Sequence, residues 1–106
     1  MELEQFAFVL LRRGLRAGEY SERELEALQE QHLAYLDEMA ASRKLVAAGP
    51  FSDQPDDSLR GLCFYATSVD EARALAEQDP SVRAGRLAVE VMTWWTKKGS
   101  VTFHRT

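Results

Sequence analysis

Two Ser-x-x-Glu motifs constrain the fold of this chain more than any other feature. Ser21 and Glu24 form the first motif, and Ser68 and Glu71 form the second. In such a capping box, each side chain accepts a hydrogen bond from the other residue's backbone N–H, which fixes the first turn of a helix. The predicted helices run from Glu22 to about Ser42 and from Asp70 to Gln78.

Short apolar runs surround both predicted helices and indicate β-strands. The predicted strands are Phe6–Leu11, Leu45–Ala48, Leu59–Thr67 and Arg86–Thr96, with a bend at Gly49-Pro50 and a tight passage over Ser81–Gly85. The resulting order, β-α-β-β-α-β, is typical of the ferredoxin-like α+β fold, in which two helices cover one face of a four-stranded antiparallel sheet. We therefore expect a single domain over residues 1–106, in which residues 97–106 are either a C-terminal extension or an extra edge strand at Val101–Phe103.

Both faces of the predicted strands are apolar, although the fold covers only one of them. In the first strand, Phe6 and Phe8 alternate with Ala7 and Val9, so neither face is polar. A large exposed apolar face is a binding surface or an aggregation hazard. Because two-fold homodimers dominate among soluble oligomers, we predict a homodimer that forms through the open sheet faces.

His32 is the residue of the first helix that stands out chemically. Apolar residues recur around it at helical spacing, and His32 lies near the middle of this stripe. The same angular count places Asp79 on the inner face of the second helix, immediately before Pro80. The two helices lie side by side in a ferredoxin-like fold, so the two side chains could meet. The residues of the stripe are Leu25, Leu28, Tyr35, Leu36 and Met39.

A carboxylate beside an imidazole makes the ring a better base and fixes its tautomer, as general acid/base catalysis requires. The alternative is structural: a buried pair that ties the helix ends together, or an Asp79 that only caps backbone N–H groups of the Asp79-Pro80 turn. Spacing alone leaves both interpretations open.

Composition excludes several function classes. The net charge is -4 and basic residues are scattered, which argues against nucleic-acid binding. No apolar segment approaches the roughly 20 residues that span a bilayer, and no signal-peptide pattern opens the chain. One Cys and two His without ligand spacing do not predict a metal site, and no cofactor motif is present. The lone Cys63 fits a reducing cytoplasm, the location that we expect.

A few other residues have two interpretations each. Cys63 is a small buried hydrophobe or a reactive thiol, and we favour the first. Arg12 and Arg13 follow the first strand and contact either solvent or an anionic ligand; we favour solvent. His104 is expected at the surface or on an edge strand. Tyr65, Trp94 and Trp95 belong to the core or to a dimer interface, or they line a pocket that accepts an aromatic ligand.

Six short segments carry a family resemblance: His32–Leu36, Arg43–Val46, Ala48–Phe51, Ser68–Arg73, Asp79-Pro80 and Ala84-Gly85. In the same order and at matching intervals, they resemble the YciI-like (YCII-related) family over about residues 5–95. The resemblance implies a ferredoxin-like fold that dimerises through its sheets, and a His–Asp pair in a pocket at the positions of His32 and Asp79. A related member is a dehydrochlorinase of a chlorinated hydroxyhydroquinone, and most members have no known activity.

Two functions follow as hypotheses. In the first, the protein is a cofactor-independent enzyme with lyase or isomerase chemistry on a small cyclic or aromatic hydroxylated substrate. His32 is its general acid/base, Asp79 orients His32, and Gly49, Pro50 and Tyr65 bind the substrate. In the second, the protein is a non-catalytic homodimer that binds a small ligand or a partner protein, because ferredoxin-like domains have many functions.

Overall fold

The computed structural model describes residues 1–103, so the predicted position of His104 lies outside the described residues. The elements follow the predicted β-α-β-β-α-β order with one short additional helix. They are β1 (Leu3–Arg13), a 3-10 turn (Ala17–Glu19), α1 (Glu22–Ala41), β2 (Leu45–Pro50), β3 (Leu59–Tyr65), α2 (Val69–Glu77), α3 (Pro80–Arg83) and β4 (Leu87–Lys97).

The four strands form one antiparallel sheet in the order β2-β3-β1-β4. This topology confirms the ferredoxin-like prediction. β1 is central and longer than predicted, because it pairs with β4 along its whole length, from Leu3 opposite Lys97 to Arg13 opposite Leu87. The expected bend at Gly49-Pro50 is wrong: both residues continue β2 and pair with β3.

Local hydrogen bonds explain where α1 begins and ends. Ser21 and Glu24 form the complete capping box, with each side chain accepting from the other residue's backbone N–H. At the other end Arg43 has a φ of 65°, and its N–H donates to the Ala40 carbonyl. A residue in the left-handed region after the last turn is a common way to end a helix.

The second capping box is only half formed. Ser68 accepts from the Glu71 N–H at 3.1 Å, as predicted. The Glu71 carboxylate, however, lies 3.2 Å from the Lys44 ammonium group, which comes just before β2. The hydroxyl alone still satisfies one of the free N–H groups in the first turn of α2.

A short helix replaces the tight passage predicted after Pro80. α3 spans Pro80–Arg83, with Asp79 as its N-cap and proline in its first turn. Proline suits that position because the missing N–H would have no helical partner there. Asp79 therefore does not continue α2; it lies between two helices.

The two faces of the sheet differ in what covers them. The helix-facing side holds the buried core, which includes Val9, Cys63, Tyr65 and Met39. The open side carries partly exposed aromatic and apolar side chains, with Phe64 centred 5.4 Å from Phe8 and 5.1 Å from Trp94.

The predicted edge strand at Val101–Phe103 is wrong, since these residues have no strand structure. Phe103 instead contacts the open face of the sheet, where its ring centre lies 5.0 Å from that of Phe6 and 5.9 Å from that of Phe64. Burial of its ring against other aromatic side chains, and not backbone pairing, thus holds this segment.

Candidate active site

The structure brings His32 and Asp79 together. His32 Nδ1 lies 2.5 Å from Asp79 Oδ2. The two residues are only 8% and 3% exposed. A polar pair at this depth is stable only because each group satisfies the other.

Asp79 is held in place by a second hydrogen bond. Its Oδ1 accepts from the Ser81 N–H at 2.9 Å, which caps α3. The Ser81 hydroxyl in turn donates to the Leu28 carbonyl of α1 at 3.3 Å. Asp79 therefore does more than cap the turn: Oδ1 accepts from the Ser81 N–H, and Oδ2 contacts His32.

This arrangement determines which ring nitrogen is available. An ionised carboxylate only accepts hydrogen bonds, so a contact with ionised Asp79 requires the proton on Nδ1 of His32. His32 lies in the wall of a cavity, whereas Asp79 does not. The ring turns its Nδ1 edge toward Asp79. Nε2 has no hydrogen-bond partner among the described residues, and none of their buried side-chain nitrogens lacks a partner, so Nε2 is accessible from the cavity that His32 lines. With Nδ1 protonated, Nε2 of the neutral ring has a free lone pair.

The cavity lies between α1 and the end of the sheet at which β1 and β2 finish. Its volume is about 570 Å³, which falls within the range of small-molecule sites. Leu25, Leu36 and Leu87 give its wall an apolar surface. Leu33, also in the wall, is 50% exposed, so the cavity communicates with solvent. We call it the His32 cavity.

The predicted substrate-binding residues divide into two groups. Gly49 and Pro50 line the His32 cavity, through β2. Tyr65 is 1% exposed and is not among the lining residues. It pairs with Ala7 and Leu45, in the core beyond the cavity. Trp94 and Trp95 also lie away from this wall, on β4.

Three weakly acidic side chains near Asp79 stay protonated at neutral pH. Burial, and then the charge of Asp79, raises the pKa of the Cys63 thiol to about 12. Burial also raises the pKa of Tyr65 and of Tyr35, with the Asp79 carboxylate contributing in each case. Cys63 lies in the cavity wall, but a thiol held neutral is a poor nucleophile. This favours its interpretation as a buried hydrophobe.

Sequence reasoning did not single out two residues of this site, Ser81 and Arg86. Ser81, 1% exposed, fixes the Asp79 carboxylate; the Asp-Pro-Ser order is a recognisable N-cap signal. Arg13 and Arg86 line the cavity. Arg13 is also exposed, as we expected, so it contacts solvent as well as the cavity. Arg12 lies elsewhere, 3.2 Å from Glu90 and 3.0 Å from the Ser58 hydroxyl.

The described part of the chain has neither a metal-binding cluster nor a membrane-spanning helix. Residues 1–103 contain no cluster of three His, Cys, Asp or Glu side chains that could hold a metal ion. Within the same residues, no helix is both long and apolar enough to cross a membrane.

Comparison with known proteins identifies the family. The family model of the YCII-related domain matches residues 8–95. The chain belongs to the YCII-related family. It is 30% identical over 77 residues to the uncharacterized protein YjpA of Bacillus subtilis (strain 168), a match that covers 69% of this chain and 87% of YjpA.

One solved structure extends the comparison to a protein with a stated activity. It is the 5-chloro-2-hydroxyhydroquinone dehydrochlorinase TftG from Burkholderia phenoliruptrix AC1100, in complex with 2,5-dihydroxybenzoquinone. The two chains share 25% sequence identity and superpose with a TM-score of 0.50, over 88% of this chain and 95% of TftG. TftG therefore provides a relative of the same fold that acts on a hydroxylated ring.

Proposed function

We propose that this protein is a cofactor-independent enzyme that moves a proton on a small cyclic or aromatic hydroxylated substrate, with elimination or isomerisation as the outcome. The observation that carries the proposal is the 2.5 Å contact between His32 Nδ1 and Asp79 Oδ2 at the wall of the His32 cavity. The activity printed for TftG supports the choice of substrate class.

In the proposed mechanism, Nε2 of His32 takes a proton from a carbon or hydroxyl group of the substrate. The electron pair of the broken bond forms a new double bond, C=C after loss of a C–H proton or C=O after loss of an O–H proton. It displaces either a leaving group, which departs with its own pair, or a neighbouring π pair, which shifts onto a second ring atom. The imidazolium then returns the proton to the leaving group or to that atom. One positioned acid/base group contributes about 10²–10⁴-fold to a rate.

Asp79 has two tasks in this mechanism. It keeps the proton on Nδ1, so that Nε2 is the basic nitrogen, and its charge stabilises the imidazolium that forms. The Ser81 N–H holds the carboxylate in position for both tasks. Because Asp79 is not in the cavity wall, it acts through His32 and is a positioning residue.

The experiment that tests the proposal is proton exchange in D₂O. Hydroquinones, hydroxyquinones and lactones are incubated with the protein, and loss of their acidic C–H signals is followed by ¹H NMR. We expect the wild type to catalyse exchange, and His32→Gln to lower the exchange rate at least 10²-fold. His32→Gln should bind the ligands as tightly as the wild type does. Exchange that persists in His32→Gln would refute the catalytic role.

The second candidate is a non-catalytic module that binds a small ligand. The buried hydrogen bonds of Asp79 favour it, because they also stabilise α3 without any chemistry. Saturable binding of ring compounds at the His32 cavity, with neither exchange nor turnover of any of them, would support this function over the first.

We also propose that the protein is a homodimer that forms through the open face of the sheet. On this face Met92 is 42% exposed and Trp94 is 36% exposed, beside the aromatic contacts of Phe64. Sedimentation equilibrium should give twice the chain mass at micromolar concentration, and Trp94→Lys should shift the mass toward that of one chain. A wild-type monomer under these conditions would contradict this proposal.

We further propose that the protein is cytoplasmic. Its lone cysteine, Cys63, is free and buried, which fits a reducing compartment.

A further inference from the structure

The wall of the His32 cavity has an unusual charge for this chain. The protein is acidic, with 17 Asp and Glu residues and a net charge of -4. Yet the lining residues include Arg13, Arg60 and Arg86, and none of the described Asp or Glu residues. A concave site lined by one sign of charge concentrates ligands of the opposite sign.

Strand pairing brings two of these arginines to the same edge of the cavity. Arg13 ends β1 opposite Leu87, and the Gly14 N–H donates to the Arg86 carbonyl at 2.7 Å. Close backbone contact fixes this junction, because a Cβ at Gly14 would lie 2.1 Å from the Gly85 oxygen. The two positions are therefore held rigidly by the sheet.

The guanidinium groups of these arginines have donors to spare. Arg86 uses Nη1 to donate to the Leu25 carbonyl at 2.9 Å. Among the described residues, neither Arg13 nor Arg86 forms an ion pair, whereas Arg12, Arg16 and Arg73 each lie near a carboxylate. A guanidinium has five N–H donors and binds a carboxylate through two parallel hydrogen bonds.

The position of Arg86 relative to His32 sets the size of the ligand. Arg86 contacts α1 at Leu25, two turns before His32, which at a rise of ~1.5 Å per residue is about 10 Å along the helix. One hydroxylated ring with a carboxylate on it can occupy this length. The ring then lies near Nε2, and the carboxylate lies near the arginines.

We propose that Arg13 and Arg86 form a carboxylate-binding subsite of the His32 cavity, and that the substrate is a hydroxylated ring acid. This inference rests on the proposed function, which places the ring beside His32. A phosphate group would share the guanidinium chemistry, but phosphate sites commonly add the free N–H groups of a helix N-terminus. In α1 the capping box engages the N–H groups of Ser21 and Glu24, and the carboxylates of Glu22 and Glu24 give the first turn a negative charge.

The test compares two ligands that differ only in the carboxylate. Binding of 2,5-dihydroxybenzoate and of hydroquinone is measured by isothermal titration calorimetry. We expect the acid to bind the wild type at least tenfold more tightly, with a preference that shrinks as salt is added. Equal affinities, or no saturable binding of the acid at millimolar concentration, would overturn the inference. Phenyl phosphate that binds more tightly than the acid would also overturn it.

Variants then locate the subsite. Arg13→Gln, whose side chain has no described hydrogen bond to lose, should weaken binding of the acid about tenfold and leave hydroquinone unaffected. Arg86→Gln should do the same, with circular dichroism to verify folding. The matched control is Arg23→Gln, which removes the same charge from an α1 position outside the wall. If Arg13→Gln prefers the acid to hydroquinone by the same factor as the wild type does, Arg13 is not part of the carboxylate subsite.

His32→Gln separates this inference from the proposed function. If it retains the preference for the acid but loses proton exchange, both proposals are supported. Proton exchange by the wild type without a preference for the acid refutes the carboxylate subsite but not the catalytic proposal. A preference for the acid without exchange in the wild type refutes the catalytic proposal alone.

Discussion

Asp79 offers the sharpest test of what the buried pair does for stability. Replacement by alanine removes two buried hydrogen bonds at once, to His32 Nδ1 and to the Ser81 N–H. Loss of an N-cap costs about 1 kcal/mol, and an unsatisfied buried donor costs about 1–3 kcal/mol. We therefore expect Asp79→Ala to lower the free energy of unfolding by about 2–4 kcal/mol.

Asp79→Asn should be much milder. The amide oxygen can still accept from the Ser81 N–H, and the amide N–H₂ can donate to Nδ1 if the ring proton moves to Nε2. Only the difference between a charged and a neutral hydrogen bond is lost, which is about 1 kcal/mol. The asparagine variant should therefore keep the fold while it reverses the tautomer.

Urea denaturation of both variants, followed by circular dichroism, measures these differences at constant protein concentration. Ser68→Ala is the matched control: it removes the exposed N-cap of α2, with no buried partner, and should lose about 1 kcal/mol. If Asp79→Ala and Asp79→Asn have the same stability, the reasoning about a buried His32 donor is refuted.

Two further predictions concern the backbone and alkaline pH. Gly14→Ala should destabilise the fold by about 1–3 kcal/mol in thermal or urea unfolding, because its Cβ would meet the Gly85 oxygen, whereas Gly49→Ala meets nothing within 4 Å and should be nearly neutral. Burial raises the pKa of Cys63 from 9.0 to about 12, so the folded state keeps a proton that the unfolded state releases. Its contribution to stability is thus complete below pH 9 and is lost as the pH rises toward 12. Between pH 8 and pH 10.5, the free energy of unfolding measured in urea should fall less in Cys63→Ala than in the wild type. An equal fall in both proteins would contradict the raised pKa of Cys63.

Local signals made the main helices predictable from the sequence. The Ser21–Glu24 box involves only neighbouring residues, so it places the start of α1 without knowledge of the rest of the fold. The angular count that put His32 on an inner face also depends on one helix alone. The same count, continued past the predicted end of the second helix, puts Asp79 on an inner face. Asp79 caps α3 instead of extending α2, and its side chain still reaches His32 of α1.

Contacts between distant segments explain what the sequence could not predict. Arg13 and Arg86 come together only because β1 pairs with β4, and no local pattern signals that the cavity opens beside them. Tyr65 and Cys63 share one face of β3, but the cavity reaches only Cys63, since its extent depends on how α1 crosses the sheet. Phe103 packs on the open face, an outcome that strand propensity does not address.

The tautomer of His32 is the most direct test of its proposed role as the base. Long-range ¹H–¹⁵N correlation spectra of the neutral ring distinguish protonation at Nδ1 from protonation at Nε2, and His104, the only other histidine, can be replaced to assign the signals. We expect the proton on Nδ1 in the wild type and on Nε2 in Asp79→Asn. A wild-type ring protonated at Nε2 would present a proton instead of a lone pair to the cavity, and would contradict His32 as the base.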